Sequence, residues 1–71
     1  MLYYTDHARE RMEQKGISKA DVRFCLNNCK LEFEESNGNR HYIADHPSGG
    51  CIKVVLNSSR DTVITVMWVE G

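Results

Sequence analysis

The chain lacks most of what marks an exported, membrane-bound or disordered protein. Its single proline and ordinary apolar fraction of 41% argue against disorder. No apolar run approaches the length of a membrane span. The opening Met1-Leu2-Tyr3-Tyr4-Thr5-Asp6 has neither the basic region nor the apolar stretch of a secretory signal, so the expected location is cytoplasmic. Cys25, Cys29 and Cys51 are too few, and odd in number, for a disulfide framework, so reduced thiols are expected. A positive excess is missing as well: the net charge is −1, whereas nucleic-acid binders usually carry a positive balance. At 71 residues there is room for one domain, residues 1–71, with a thin core.

What is present has two halves. In the first, Thr5 is an expected N-cap, with Asp6 placed to suit the helix dipole. Ala8 and Met12 share a face, Gly16 supplies a left-handed stop, and Ile17 can pack back onto Met12. Ser18 and Asp21 approximate a capping box, after which Val22, Cys25, Leu26 and Cys29 repeat at helical spacing. The pattern predicts helices over residues 6–15 and 18–29. In the second half the period changes to two: Leu31 and Phe33 alternate with Glu32 and Glu34. Asn37-Gly38 is a strong hairpin signal. Read as a two-residue turn, it pairs Glu35 with Arg40, Glu34 with His41 and Phe33 with Tyr42, and turns Leu31, Phe33, Tyr42 and Ala44 toward the helices. Residues 46–50 and 57–61 are turns, flanking strands at Cys51–Leu56 and Thr62–Val69, and Trp68 is expected in the core. The expectation is an α+β fold, two N-terminal helices packed on a four-stranded antiparallel sheet.

Several residues can carry chemistry, each beside a plainer reading. His7, Arg11 and Lys15 form one helical stripe. A histidine can move a proton near neutral pH, and arginine can fork onto phosphate, the minimum for cutting a phosphodiester without metal. The plainer reading is a solvated helix edge. Arg40 and His41 add a second cation and a second proton carrier, or else mere cross-strand partners for Glu35 and Glu34. Thr65 is otherwise an ordinary strand residue. Cys25 and Cys29 lie on the apolar stripe without zinc-knuckle spacing, so no metal site and no cofactor are expected.

The run His7-Ala8-Arg9-Glu10-Arg11-Met12-Glu13-Gln14-Lys15-Gly16-Ile17-Ser18, with Arg40-His41-Tyr42 and Ile64-Thr65-Val66 later, resembles the bacterial domain-of-unknown-function 4258 family. That family is regarded as similar to the RelE/ParE-like toxins of the barnase-like ribonuclease group. The resemblance implies a RelE/ParE-like fold and a metal-independent ribonuclease of a toxin–antitoxin system. It implies RNA or the ribosome as target and an antitoxin-like protein as partner. Carried over by position, His7, Arg11, Arg40 and His41 are the catalytic candidates, and Lys15 and Thr65 the substrate-binding ones. Lys15 replaces the usual arginine, keeping the charge but losing the planar fork. The alternative is a non-catalytic protein-binding or regulatory module that retains the fold; a third reading is a ParE-type toxin that acts on protein.

Overall fold

Thr5 is the N-cap of the first helix. In the computed structural model, which describes residues 2–69, its backbone is extended and its hydroxyl oxygen accepts the Ala8 N–H at 3.0 Å. Helix α1 (Asp6–Lys15) follows and stops at Gly16, whose φ is +67°. The Gly16 N–H bonds the Glu13 carbonyl and the Ile17 N–H the Met12 carbonyl, the paired bonds of a Schellman close. Met12 and Ile17 both enter the core, as their spacing requires. Ser18 and Asp21 form a complete reciprocal capping box at the start of α2 (Lys19–Asn27). The second helix ends short of the expected residue 29. There the Asn28 side-chain amide donates to the Phe24 carbonyl and competes with further helix bonds. Val22 and Cys25 are fully buried, and Cys29, past the helix end, is half-buried.

The four expected strands form: β2 (Leu31–Glu34), β3 (Arg40–Asp45), β4 (Cys51–Leu56) and β5 (Thr62–Val69), each antiparallel to the next. The sheet itself differs from expectation, being five-stranded and mixed. A two-residue strand, β1 (Tyr3–Tyr4), runs parallel to β5 at the edge. Two residues cannot display an alternation, so nothing in the pattern announced it. The order is β1-β5-β4-β3-β2. Both helices cover one face, α1 over β5 and β1, α2 over β3 and β4. Ala8, Met12, Val22 and Cys25 meet Tyr42, Ala44, Ile52, Val54 and Val66 there. Among the described residues no helix covers the other face.

The β2–β3 turn overturns the expected register. Glu35 N–H bonds the Asn39 carbonyl at 2.7 Å and Gly38 N–H the Glu35 carbonyl at 2.9 Å, so the loop is Ser36-Asn37-Gly38. Gly38 is left-handed, with φ +92°, and the Asn37 side chain accepts the Asn39 N–H. This is the three-residue loop that places glycine third, not the two-residue turn. The extra residue shifts every pairing by one: Glu34 opposes Arg40, Phe33 opposes His41, Glu32 opposes Tyr42 and Leu31 opposes Ile43. A one-residue slip moves side chains to the other face. Leu31 and Phe33 therefore join His41 and Ile43 on the helix-free face, 52% and 41% exposed, while Glu32 and Glu34 join Arg40 and Tyr42.

A second irregularity lies in β5. Val55 pairs with Thr65 but Leu56 pairs with Val63, so Ile64 is the extra residue of a bulge. Its carbonyl accepts the Thr5 hydroxyl at 2.9 Å. Trp68 is not the core residue expected. It is 37% exposed at the end of the helix-side face, where its indole N–H bonds the Lys15 carbonyl at 2.9 Å.

Candidate functional site

The helix-free face gathers the residues with the most chemical potential. His41 on β3 and Phe33 on β2 are direct partners, and their rings stack, with centroids 4.6 Å apart and planes 11° off parallel. Nε2 of His41 contacts the Glu35 carboxylate just past the end of β2. His41 is buried, whereas the Glu35 side chain is 42% exposed. Since Nε2 faces a carboxylate, a neutral His41 carries its proton there, and its buried Nδ1 has no protein partner. On β4, Lys53 reaches over Phe33, its ammonium 5.7 Å from the ring centroid. Val55 follows His41 across the sheet, and Thr65 follows Val55. Thr65 thus stands two strands from His41, roughly 10 Å; its hydroxyl is buried and unpartnered. An exposed carboxylate, an imidazole behind it, a cation and an exposed aromatic ring thus share one open surface.

The remaining candidates lie elsewhere. His7 and Lys15 are exposed on α1, and Arg11 is half-buried with its Nε unpartnered. Arg40 is on the helix-side face of β3, where its guanidinium bonds Glu32 and Glu34, each at 3.0 Å. The expected partner, Glu35, instead contacts His41, because of the register shift. Two carboxylates on Arg40 leave it little call on a phosphate. Helix α1 lies over β5 and β1, with β4 between β5 and Arg40's strand. The six candidates are therefore split. His41 and Thr65 share the helix-free face, while His7, Arg11 and Lys15 on α1 and Arg40 on β3 belong to the helix side.

The sequence reading gives Glu35 as a cross-strand partner of Arg40 and Phe33 as a core-facing strand residue, and does not single out Lys53. Their roles hang on the hairpin's loop length, and Asn37-Gly38 is compatible with both lengths. Nor does it single out His46. Its Nε2 donates to Asp21 at 2.8 Å, its Nδ1 meets the Ser48 hydroxyl at 2.6 Å, and its ring edge packs on Phe24 and Trp68. Serine, histidine and aspartate in series suggest a hydrolytic triad. However, Nδ1 also accepts the backbone N–H of Ser48, two residues away, and the other Asp21 oxygen caps Ser18. These are local bonds of a turn pinned to the start of α2. The Ser18 N–H first, and then His46, hold the Asp21 carboxyl below its usual range.

The three thiols are free. Cys25 donates to the Tyr42 and Ile52 carbonyls, and burial pushes its thiol up to about 11. Among the described residues no group of three or more metal-ligating side chains occurs, and no helix is long and apolar enough to cross a membrane.

Comparison with known proteins gives no match among curated proteins and none among solved structures. A family match covers residues 4–68, from the second residue of β1 to the last but one of β5, and includes the α1 run and the His41 strand. The chain belongs to the family described as Domain of unknown function (DUF4258).

Proposed function

We propose that this domain cleaves RNA without a metal, using Glu35 and His41 as a coupled acid–base pair on the helix-free face. The observation that carries the reading is the Glu35–His41 contact beside an exposed Phe33 and Lys53. Glu35 takes the proton of a ribose 2′-hydroxyl, while the Nε2–H of His41 donates to its carboxylate and holds it in place. The 2′-oxygen bonds to the adjacent phosphorus as the bond from phosphorus to the 5′-oxygen breaks. Glu35 returns that proton to the leaving oxygen, so the products are a 2′,3′-cyclic phosphate and a 5′-hydroxyl. Lys53 stabilises the charge that builds on the phosphate, and Phe33 offers its ring to a base. Thr65 lies within a nucleotide's reach on the same face. The likeness of the family to RelE/ParE-like toxins supports RNA, free or on the ribosome, as substrate, and an antitoxin-like protein as partner. His7, the leading residue of the sequence reading, stands outside this centre.

The test is cleavage of a mixed-sequence RNA, and of messenger RNA under translation, by wild type and by Glu35→Gln, His41→Ala and His7→Ala. Losing a positioned acid or base costs about 100- to 10,000-fold. The first two variants should lose that much, and His7→Ala should stay near wild type. An inert wild type in both assays would remove the enzyme reading. The second reading, a non-catalytic protein-binding module, would then take its place. It is favoured by Leu31 and Phe33, large apolar side chains exposed on an edge strand that pairs only with β3 among the described residues.

A further inference from the structure

A cleft of about 760 Å³ opens on the other edge of the sheet, lined by Leu2, Tyr4, Lys19, Arg23, Arg60 and Asp61. Its cations come from two separate elements. Lys19 and Arg23 are one turn apart on α2, and Arg60 projects from the β4–β5 turn. None of the three has an acidic partner among the described residues, unlike Arg40 and Lys30. The one carboxylate in the lining is engaged: Asp61 accepts from the Asn57 side-chain amide at 2.7 Å and from the Thr62 hydroxyl at 3.0 Å. Three cations thus converge around one occupied acid, in a chain whose net charge is −1.

The Lys19 side chain and the backbone of Arg60 are also held in place. Lys19 sits over the Tyr4 ring, its ammonium 5.2 Å from the centroid. Arg60 is the only non-glycine residue with positive φ among the described ones, at 61°. Such a backbone is unfavourable for arginine and suits asparagine or glycine better. Asn57 fixes the turn, its side-chain oxygen accepting the Asp61 and Thr62 N–H groups at 3.0 and 3.1 Å. An arginine with a left-handed backbone, lining a cleft with two further cations that have no acidic partner among the described residues, points to an anionic ligand.

We propose that this cleft binds the phosphates of a single-stranded RNA, as a holding site separate from the Glu35–His41 pair. The choice of RNA rests on the proposed function; the preference for phosphate rests on the cleft's own cations. Arginine forks suit phosphate oxygens, and Leu2 and Tyr4 give an apolar floor for the sugar. The placement allows one strand to span both. A side chain at Gly38, in the turn after Glu35, would lie 3.4 Å from Ser58 in the Arg60 turn, so both turns occupy one end of the sheet.

The experiment is fluorescence-anisotropy titration of a labelled 2′-O-methyl RNA decamer, which keeps its phosphates but lacks the hydroxyl needed for cleavage. Wild type, Arg23→Gln/Arg60→Asn and His7→Ala are compared over a range of salt. Asparagine accommodates the left-handed backbone at residue 60, and a urea midpoint checks that the double variant is folded. The double variant should bind about tenfold more weakly or worse, with a salt slope about 1.4 flatter, since each single-strand phosphate contact contributes about 0.7. His7→Ala, on exposed α1 surface away from both sites, should bind as wild type does. Equal binding by the double variant and wild type would overturn the proposal, and so would a wild type that cleaves RNA but does not bind the decamer. Binding of inorganic phosphate at the cleft without binding of the decamer would also overturn it, in favour of a small anion. Cleavage activity, measured separately, tells a failed holding site from a failed enzyme.

Discussion

Replacing Thr5 by valine removes two hydrogen bonds and almost no volume. The Thr5 hydroxyl oxygen accepts the Ala8 N–H at 3.0 Å, and its hydrogen goes to the Ile64 carbonyl at 2.9 Å. The first bond caps α1; the second satisfies a carbonyl at the bulge of β5. Loss of an N-cap costs about 0.5–2 kcal/mol, and a half-buried carbonyl without its partner about another 1 kcal/mol. Thr5→Val should therefore destabilise by about 1.5–3 kcal/mol. For a domain of this size each kcal/mol moves the melting temperature by about 4–8 °C, so a fall of about 6–24 °C is expected. Thr5→Ser, which keeps both bonds, should lose much less. Urea and thermal unfolding of the three proteins provide the measurement. If valine matched wild type within a few tenths of a kcal/mol, or serine fell as far as valine, the hydroxyl would not be what ties α1 to β5.

Other perturbations probe the core and the polar links. Met12→Ala empties a site that is 8% exposed between α1 and the sheet, and should lower the urea stability by about 2–5 kcal/mol; an unchanged midpoint would mean that α1 does not dock there. Cys25, its thiol pushed up to about 11 and fully buried, should resist alkylation at pH 8 in the native protein far longer than half-buried Cys29. Mass spectrometry showing equal labelling would contradict its burial. Asp21 has a folded-state pKa below its unfolded value, so its contribution is complete above about pH 5 and disappears as pH falls through the folded pKa. Asp21→Asn should flatten the acid limb of a stability–pH curve, and a limb identical to wild type would assign acid unfolding to other carboxylates.

The helices were legible because their signals are local. Thr5, Gly16-Ile17 and Ser18 with Asp21 each act within one turn of chain, and each does what its residue type dictates. The strands were legible from alternation, but their faces were not. Asn37-Gly38 marks a turn without fixing whether the loop has two residues or three, and that single residue decides where Phe33 and Glu35 point. Tyr3-Tyr4 carries no period, and it pairs with β5 only once the chain has folded back. The site suffered most from this. His41 was recognised, but its carboxylate partner and its stacked ring follow from register. Lys19, Arg23 and Arg60 are ordinary surface cations in the sequence, and only the tertiary fold sets them around one cleft.

The central claim concerns a 2′-hydroxyl and the Glu35–His41 pair. It is met most directly by a DNA oligonucleotide carrying a single ribonucleotide, incubated with wild type, Glu35→Gln and His41→Ala, the products being identified by mass. Wild type should cut only on the 3′ side of the ribose, leaving a 2′,3′-cyclic phosphate and a 5′-hydroxyl, with both variants slower by about 100-fold or more. Equal cutting of an all-DNA strand, other product ends, or undiminished cutting by either variant would contradict the account.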